Sequence, residues 1–251
     1  MNKIKIGVMP AAGMGNRINS LPLTRILPKS LLPILNKPIM EYGIDNMKTI
    51  GVEELYIIVG FKKDLIKEYF GNGKDFGLDI KYVVQPTPNG IAAAVELVRE
   101  YVKEPFIITL GDDLTVARSL DNLVKDFWTK NAKIVEGVVL EHNVEKLKLA
   151  CCVTLGKQDE MLDIVEKPTA LISQIRGCGI YICDPLIFDF INKTPFSLFR
   201  KEREITDTLR LMAKMNLVYG SFIDGTNINV NTIGDLIDAL KLILDMKEAQ
   251  A

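Results

Sequence analysis

Met9-Pro-Ala-Ala-Gly13-Met-Gly15-Asn-Arg17-Ile18, followed after a short spacer by Leu27-Pro-Lys29-Ser-Leu-Leu-Pro33-Ile-Leu-Asn-Lys-Pro38, is the stretch whose reading decides the fold. It follows an apolar run, Ile4 to Met9, that reads as a buried strand. Ala11, Ala12, Gly13 and Gly15 then leave the backbone nearly bare, so the chain can turn tightly and let a ligand approach the main chain. Consecutive N–H groups in such a turn form an anion-binding concavity. Arg17 and Lys29 add two cations, and a strand, a small-residue loop and two fixed cations suit a polyphosphate. Two commoner glycine loops are excluded. A P-loop closes on Gly-Lys-Ser/Thr, whereas Gly15 is followed by Asn16 and Arg17. A dinucleotide fingerprint needs a third glycine where Ile18 stands.

Outward from this loop, short apolar strands alternate with amphipathic helices. Strands are expected at Glu54–Val59, Ile80–Val84 and Phe106–Leu110, and helices at Pro38–Thr49, Lys63–Phe70 and Ile91–Tyr101. This βαβ rhythm implies an α/β fold with a mostly parallel, doubly wound sheet, which binds ligands at the carboxyl ends of its strands. The glycine loop, the Gln85 loop and Asp112 each follow a predicted strand, so all three can meet at one crevice. The second half changes rhythm. Strands are expected at Lys133–Leu140, Ala150–Thr154, Leu162–Val165 and Gly179–Cys183, and helices after Pro185, over Thr206–Met215 and from Ile233 to about Lys247. With no internal repeat or linker, the 251 residues read as one mixed-sheet domain.

Composition narrows the function. A net charge of −1 argues against nucleic acid as a partner. No apolar run reaches the ~20 residues of a membrane span, and the run after the N-terminal lysines is too short for a signal peptide. The cysteines Cys151, Cys152, Cys178 and Cys183 lack zinc-knuckle spacing and there is one histidine, His142, so buried reduced thiols and a cytoplasmic protein are expected.

Further motifs carry chemistry. In Gln85-Pro-Thr-Pro-Asn-Gly90 two prolines and a glycine hold a loop in one shape, and the Gln amide can pair with the edge of a base. Gly111-Asp112-Asp113 follows the fourth strand, and a carboxylate there is a natural magnesium ligand. Asp113 is expected at a helix cap or on the surface, with metal ligation as the alternative. Glu166-Lys167-Pro168 ends a predicted strand, Arg200 opens a charged segment, and Asn227-Ile-Asn229-Val-Asn-Thr232 precedes the last helix, which Thr232 would cap.

Taken in order, from Ile4 to about Leu240, these motifs resemble those of the sugar-1-phosphate nucleotidyltransferases, above all the glucose-1-phosphate thymidylyl- and uridylyltransferases. The resemblance implies a Rossmann-like, three-layer α/β/α domain. Residues 1–130 would mainly bind nucleotide and 131–251 mainly the sugar phosphate. It implies a magnesium-dependent reaction of an NTP, dTTP or UTP favoured, with a sugar 1-phosphate such as glucose 1-phosphate. The loop Ala11, Ala12, Gly13 and Gly15 with Gly111 would wrap the triphosphate, Arg17 and Lys29 bind its phosphates, and Gln85 and Gly90 read the pyrimidine. Glu166 would contact sugar hydroxyls, and Lys167, helped by Arg200, would hold the sugar phosphate. Asp112 and Asn229 would bind the metal. Two positions depart from the pattern: Pro10 replaces a leucine, and Ala150 stands where many members have glycine against the sugar. An acceptor other than a sugar phosphate, a silent nucleotide-sugar-sensing subunit and a homo-oligomer stay open at this point. A glycosyltransferase is disfavoured, because Asp112-Asp113-Leu114 is not an Asp-x-Asp motif.

Overall fold

The computed structural model describes residues 3–13, 22–197 and 202–248. In chain order the first half runs β1 (Ile6–Ala11), a small hairpin of β2 (Pro33–Ile34) and β3 (Lys37–Pro38), α1 (Ile39–Thr49), β4 (Glu54–Val59), α2 (Lys63–Phe70), β5 (Asp79–Val84), α3 (Ile91–Glu96) and β6 (Phe106–Thr109). Then follow β7 (Asp113–Ala117), α4 (Asp121–Thr129), β8 (Ile134–Leu140), α5 (Val144–Lys148), β9 (Cys151–Leu155), β10 (Met161–Glu166) and β11 (Ile175–Cys183). The chain closes with α6 (Ile187–Lys193), α7 (Ile205–Ala213), β12 (Val218–Phe222), β13 (Gly225–Asn229) and α8 (Ile233–Glu248).

The described residues build a nine-stranded mixed sheet. Its first half, β5-β4-β1-β6, is parallel, with Val8 of β1 facing Tyr56 of β4 and Ile108 of β6. Strands such as Leu55–Val59 are apolar at every position because helices cover both faces of the sheet. The long strand β11 runs antiparallel to β6 and continues the sheet into β8 and, parallel to that, β12. The β9–β10 hairpin pairs with the start of β11. On one face Met40, Ile44 and Met47 of α1, Ile66 of α2 and Leu123 of α4 pack together; on the other, Val95 of α3, Ile187 of α6 and Leu209 of α7 do so. Helix α8 packs Ala239 and Ile243 against Leu32 and Ile34 near the hairpin and Leu114 and Val230 near a separate ribbon, β7–β13. The result is the three-layer α/β/α arrangement expected from the sequence.

The differences are local. Helix α3 is shorter than its pattern suggests: after Glu96 the chain tightens to i→i+3 bonds, Leu97 N–H to Ala94 O (3.0 Å) and Val98 N–H to Val95 O (3.1 Å). Strand β11 begins at Ile175 rather than at Gly179. The ribbon β7–β13, strand β12 and helix α4 go beyond the sequence reading. Among the described residues no helix is long and apolar enough to cross a membrane. The four cysteines are buried and free.

Candidate active site

The carboxyl ends of β1, β5 and β6 open into a cleft of about 450 Å³. Its lining includes Ala11, Ala12, Gly13, Lys29, Gln85, Gly90, Gly111, Asp112, Ala150, Glu166, Lys167 and Asn229, so every described residue to which the resemblance gives a binding role borders one space. Gly15, Arg17 and Arg200 lie outside the described residues.

At the first end, Pro10 lies past the last residue that pairs β1 with β6, and its carbonyl accepts the Gly111 N–H (3.1 Å). This bond brings the glycine loop and the Asp112 turn together. Gln85 is buried, and its Nε2 donates to Asn89 Oδ1 (2.9 Å) and Gly90 O (3.4 Å), so the amide is fixed before any base arrives. Gly90 has φ +105°, and a Cβ there would fall 2.3 Å from the Arg203 carbonyl. Only glycine lets the Gln85 loop and the 202–205 segment close on each other. Their backbones bond through Arg203 N–H to Asn89 O (2.8 Å) and Ala92 N–H to Arg203 O (3.2 Å).

At the centre, the Lys29 ammonium, in a short 3₁₀ turn and only 7% exposed, donates to Asp112 Oδ2 (2.7 Å) and Asn231 Oδ1 (2.9 Å). Asn231 in turn donates from Nδ2 to Asn229 Oδ1 (2.5 Å). Asp235 fixes this loop by accepting the N–H groups of Asn231 (3.0 Å) and Thr232 (2.7 Å), while Thr232 Oγ1 accepts the Asp235 N–H (3.1 Å). That reciprocal pair is a capping box, with Thr232 in the expected place. Asp113 is a correction. It opens β7 opposite Asn229 and is buried against Gly179, neither a surface residue nor a helix cap. Burial, and then the adjacent Asp112 charge, push its carboxyl well above the usual range.

At the far end, Lys167 Nζ lies 3.3 Å from Glu166 Oε1. Lys167 has φ 48°, in the left-handed region that an L-residue before proline disfavours, and its N–H donates to Ala150 O (2.9 Å). Cys151, Gly177 and Tyr181 line the same end. Behind them Glu136 of β8 is fully buried, with Oε1 accepting the Cys151 thiol at 3.8 Å. Burial, with the Glu166 charge adding to it, pushes the Glu136 carboxyl up to about 8 against the lowering effect of the thiol bond. Sequence reasoning passed over Asn231 and Glu136. The first repeats the Asn-x-Asn spacing, and the second is the one ionisable residue in Ile-Val-Glu-Gly-Val-Val-Leu.

The family profile described as Nucleotidyl transferase matches residues 6–245. The chain belongs to the nucleotidyl transferase family. It is 30% identical to the low-salt glycan biosynthesis nucleotidyltransferase Agl11 of Haloferax volcanii over 96% of its own length and 66% of that protein's. It spans 54% of the bifunctional protein GlmU of Methanocaldococcus jannaschii, at 31% identity. It is 28% identical to the UTP–glucose-1-phosphate uridylyltransferase of Staphylococcus epidermidis, covering 92% of this chain and 88% of that one. Among solved structures, UDP-glucose pyrophosphorylase complexed with UDP-glucose superposes with a TM-score of 0.84 at 25% identity, over 97% of this chain and 99% of that one.

Two outcomes follow for this member of the nucleotidyl transferase family. Lys167→Gly and Lys167→Ala both remove the ammonium, but only alanine keeps the left-handed strain. The glycine variant should be the more stable by about 1 kcal/mol in denaturant unfolding. The raised Glu136 carboxyl sets a sign for pH. Between about pH 4.5 and 8 the folded chain holds a proton that the unfolded chain has released. Stability therefore falls as pH rises through that window. Glu136→Gln should remove up to one proton's slope, about 1.36 kcal/mol per pH unit, in unfolding measured across the window.

Proposed function

We propose that the protein transfers a nucleotidyl group from an NTP, dTTP or UTP, to a sugar 1-phosphate, with glucose 1-phosphate the first candidate, and releases pyrophosphate. The observation that carries this reading is the meeting of Ala11–Gly13, Gln85, Asp112 and Glu166–Lys167 around one cleft. The similarity to a UTP–glucose-1-phosphate uridylyltransferase along most of both chains supports it. An acceptor phosphate oxygen attacks the α-phosphorus, the bond from that phosphorus to the bridging oxygen breaks, and pyrophosphate leaves. The attacking oxygen is already anionic, so the step needs no general base, and His142 is not among the cleft residues. What remains is positioning and charge neutralisation.

The residues divide this work. Gln85 and the Gly90 backbone read a pyrimidine edge. Thymine and uracil differ by one methyl, worth about 1–3 kcal/mol in a fitted pocket. Arg17 and Lys29 take the triphosphate, Lys29 turning to it from Asp112. Glu166 takes sugar hydroxyls, and Lys167, with Arg200, takes the acceptor phosphate. The first half of the domain thus serves the nucleotide and the second half the acceptor. Four free, buried thiols support a cytoplasmic setting.

The donor set at the centre fits magnesium. The Asp112 carboxylate and the Asn229 and Asn231 amide oxygens are hard donors; Asp112 and Asn231 already hold a cation, the Lys29 ammonium, and Asn229 Oδ1 stands next to them as the acceptor of Asn231 Nδ2. Asp112 and Asn229 would hold the ion. Among the described residues no three His, Cys, Asp or Glu side chains gather into a metal cluster. When bound, magnesium offsets the charge of the triphosphate and its leaving group.

A matrix of NTPs against sugar 1-phosphates and one alcohol phosphate, read by pyrophosphate release, tests the reaction. Release should need NTP, sugar 1-phosphate and magnesium together, with dTTP or UTP ahead of the purine nucleotides. Equal release without any acceptor would mean an NTP pyrophosphatase and end this reading, and preference for the alcohol phosphate would change the acceptor class. A second measurement concerns the centre. Asp112→Asn should lower turnover on the order of 10²–10³-fold, the scale of one lost electrostatic contact. Asn229→Ala should raise the magnesium needed for half-maximal rate, and Asn229→Asp should lower it. An unchanged magnesium curve for Asn229→Ala would remove that residue from the metal.

A further inference from the structure

Glu136 has no place in the chemistry above, and a fully buried carboxyl is costly unless something uses it. Its Oε1 has the Cys151 thiol at 3.8 Å; among the described residues Oε2 has no hydrogen-bond partner. On β8 it shares a face with Ile134 and Val138, which pack into the same cluster as Cys151 and Tyr181, two residues of the cleft wall. On neighbouring β11, Gly177 also lines the cleft, and a Cβ on it would fall 2.1 Å from Glu136 Oε1 and 2.5 Å from Cys151 Sγ. The carboxyl therefore fills the volume that a side chain from the cleft-lining strand would occupy. That volume lies at the acceptor end, beside Ala150 and Glu166.

We infer that Glu136 reads the acceptor: as the Cys151 thiol turns aside, its carboxyl reaches through the gap left by Gly177 and hydrogen-bonds a ring hydroxyl of the sugar 1-phosphate. The inference rests on the sugar-phosphate reading above. The chemistries match. Below about pH 8 the carboxyl keeps its proton. It then offers one donor and one acceptor, as a hydroxyl does. A neutral acid also adds no repulsion against the acceptor phosphate. A site built to pair with a hydroxyl rejects the analogue that lacks it, because the buried partner is left unpaired.

The test uses the full chain and wild-type kinetics first, with the accepted sugar 1-phosphate and its ring-deoxy analogues. Glu136→Leu replaces the carboxyl with apolar volume and Glu136→Gln keeps a donor and an acceptor. Glu136→Leu should raise the acceptor KM tenfold or more, leave the NTP KM unchanged and leave the melting temperature no lower. Glu136→Gln should recover part of the acceptor KM. One deoxy analogue that wild type rejects should be used by Glu136→Leu as well as the parent sugar, and this would name the hydroxyl. A purely structural carboxyl would move stability and leave that selectivity untouched. A folded Glu136→Leu enzyme with the wild-type acceptor KM and the same deoxy penalties would overturn the inference. If Glu136→Leu does not fold, Glu136→Met, an unbranched apolar replacement of similar length, carries the same comparison. Wild type inactive with every sugar phosphate would instead sink the parent reading, so the two failures are distinct.

Discussion

A buried ammonium must find oxygen, and Lys29 finds it in residues 83 and 202 positions away along the chain, Asp112 and Asn231. That one charge ties together the segment after the glycine loop, the end of β6 and the entry to α8. Hydrophobic packing makes the tie possible. Leu32 and Ile34, just after Lys29, share a cluster with Val230 next to Asn231 and with Ala239 and Ile243 of α8. The Thr232–Asp235 capping box then sets the loop so that Asn231 faces Lys29 on one side and Asn229 on the other. Helix capping, core packing and the polar centre of the cleft are thus one construction.

A second polar seam holds the ribbon β7–β13 against β11. Arg176, nearly buried, donates to Asn227 Oδ1 (2.7 Å) and Asn227 O (2.8 Å). Asn227 Nδ2 donates to Thr115 Oγ1 (2.8 Å) and Cys178 O (3.1 Å). Because Asn229 lies two residues further along β13, this seam sets where its side chain stands. The acids near it follow a consistent logic. Asp113 and Glu136 are both buried and both hold their protons more tightly than usual. In the cleft we propose for anionic substrates, the buried acids thus add no negative charge, while Lys29 and Lys167 stand at its wall.

Much of this was legible in the sequence, for physical reasons. Strands buried on both faces announce themselves as apolar runs, so Glu54–Val59 agrees residue for residue with the structure, and the helix Lys63–Phe70 does so through the amphipathic spacing that buries Ile66 and Phe70. Loops that bind through their backbone must be poor in side chains, so the glycine loop and the Gln85-Pro-Thr-Pro-Asn-Gly90 loop stand out by composition alone. The fold then carries them to one cleft, since each follows a strand of the parallel half. Ribbon β7–β13 was not legible. Its strands are five residues each, and pairing between Asp113 and Asn229 across more than a hundred residues leaves no local pattern. Asp113 was misjudged for the same reason, because a turn after a strand looks solvated until its distant partner covers it.

Beside Glu166 and Lys167, which the sequence does announce, the pairing of Glu136 with Gly177 escaped sequence reading for a different reason. There the cleft wall is composed from antiparallel strands, and the space at one position is filled from another. Gly177 looks like a strand glycine with nothing to offer, and Glu136 looks like a misplaced charge in an apolar run. Each makes sense only when the carboxyl of one occupies the missing side chain of the other. The same holds for Lys167, whose left-handed backbone is supported by the Ala150 carbonyl from the preceding strand region. Motifs persist where a ligand is held by backbone and by a short contiguous loop. Where it is held by side chains reaching across strands, the same volume can be supplied from several positions, and the information sits in pairs of residues rather than in any one stretch.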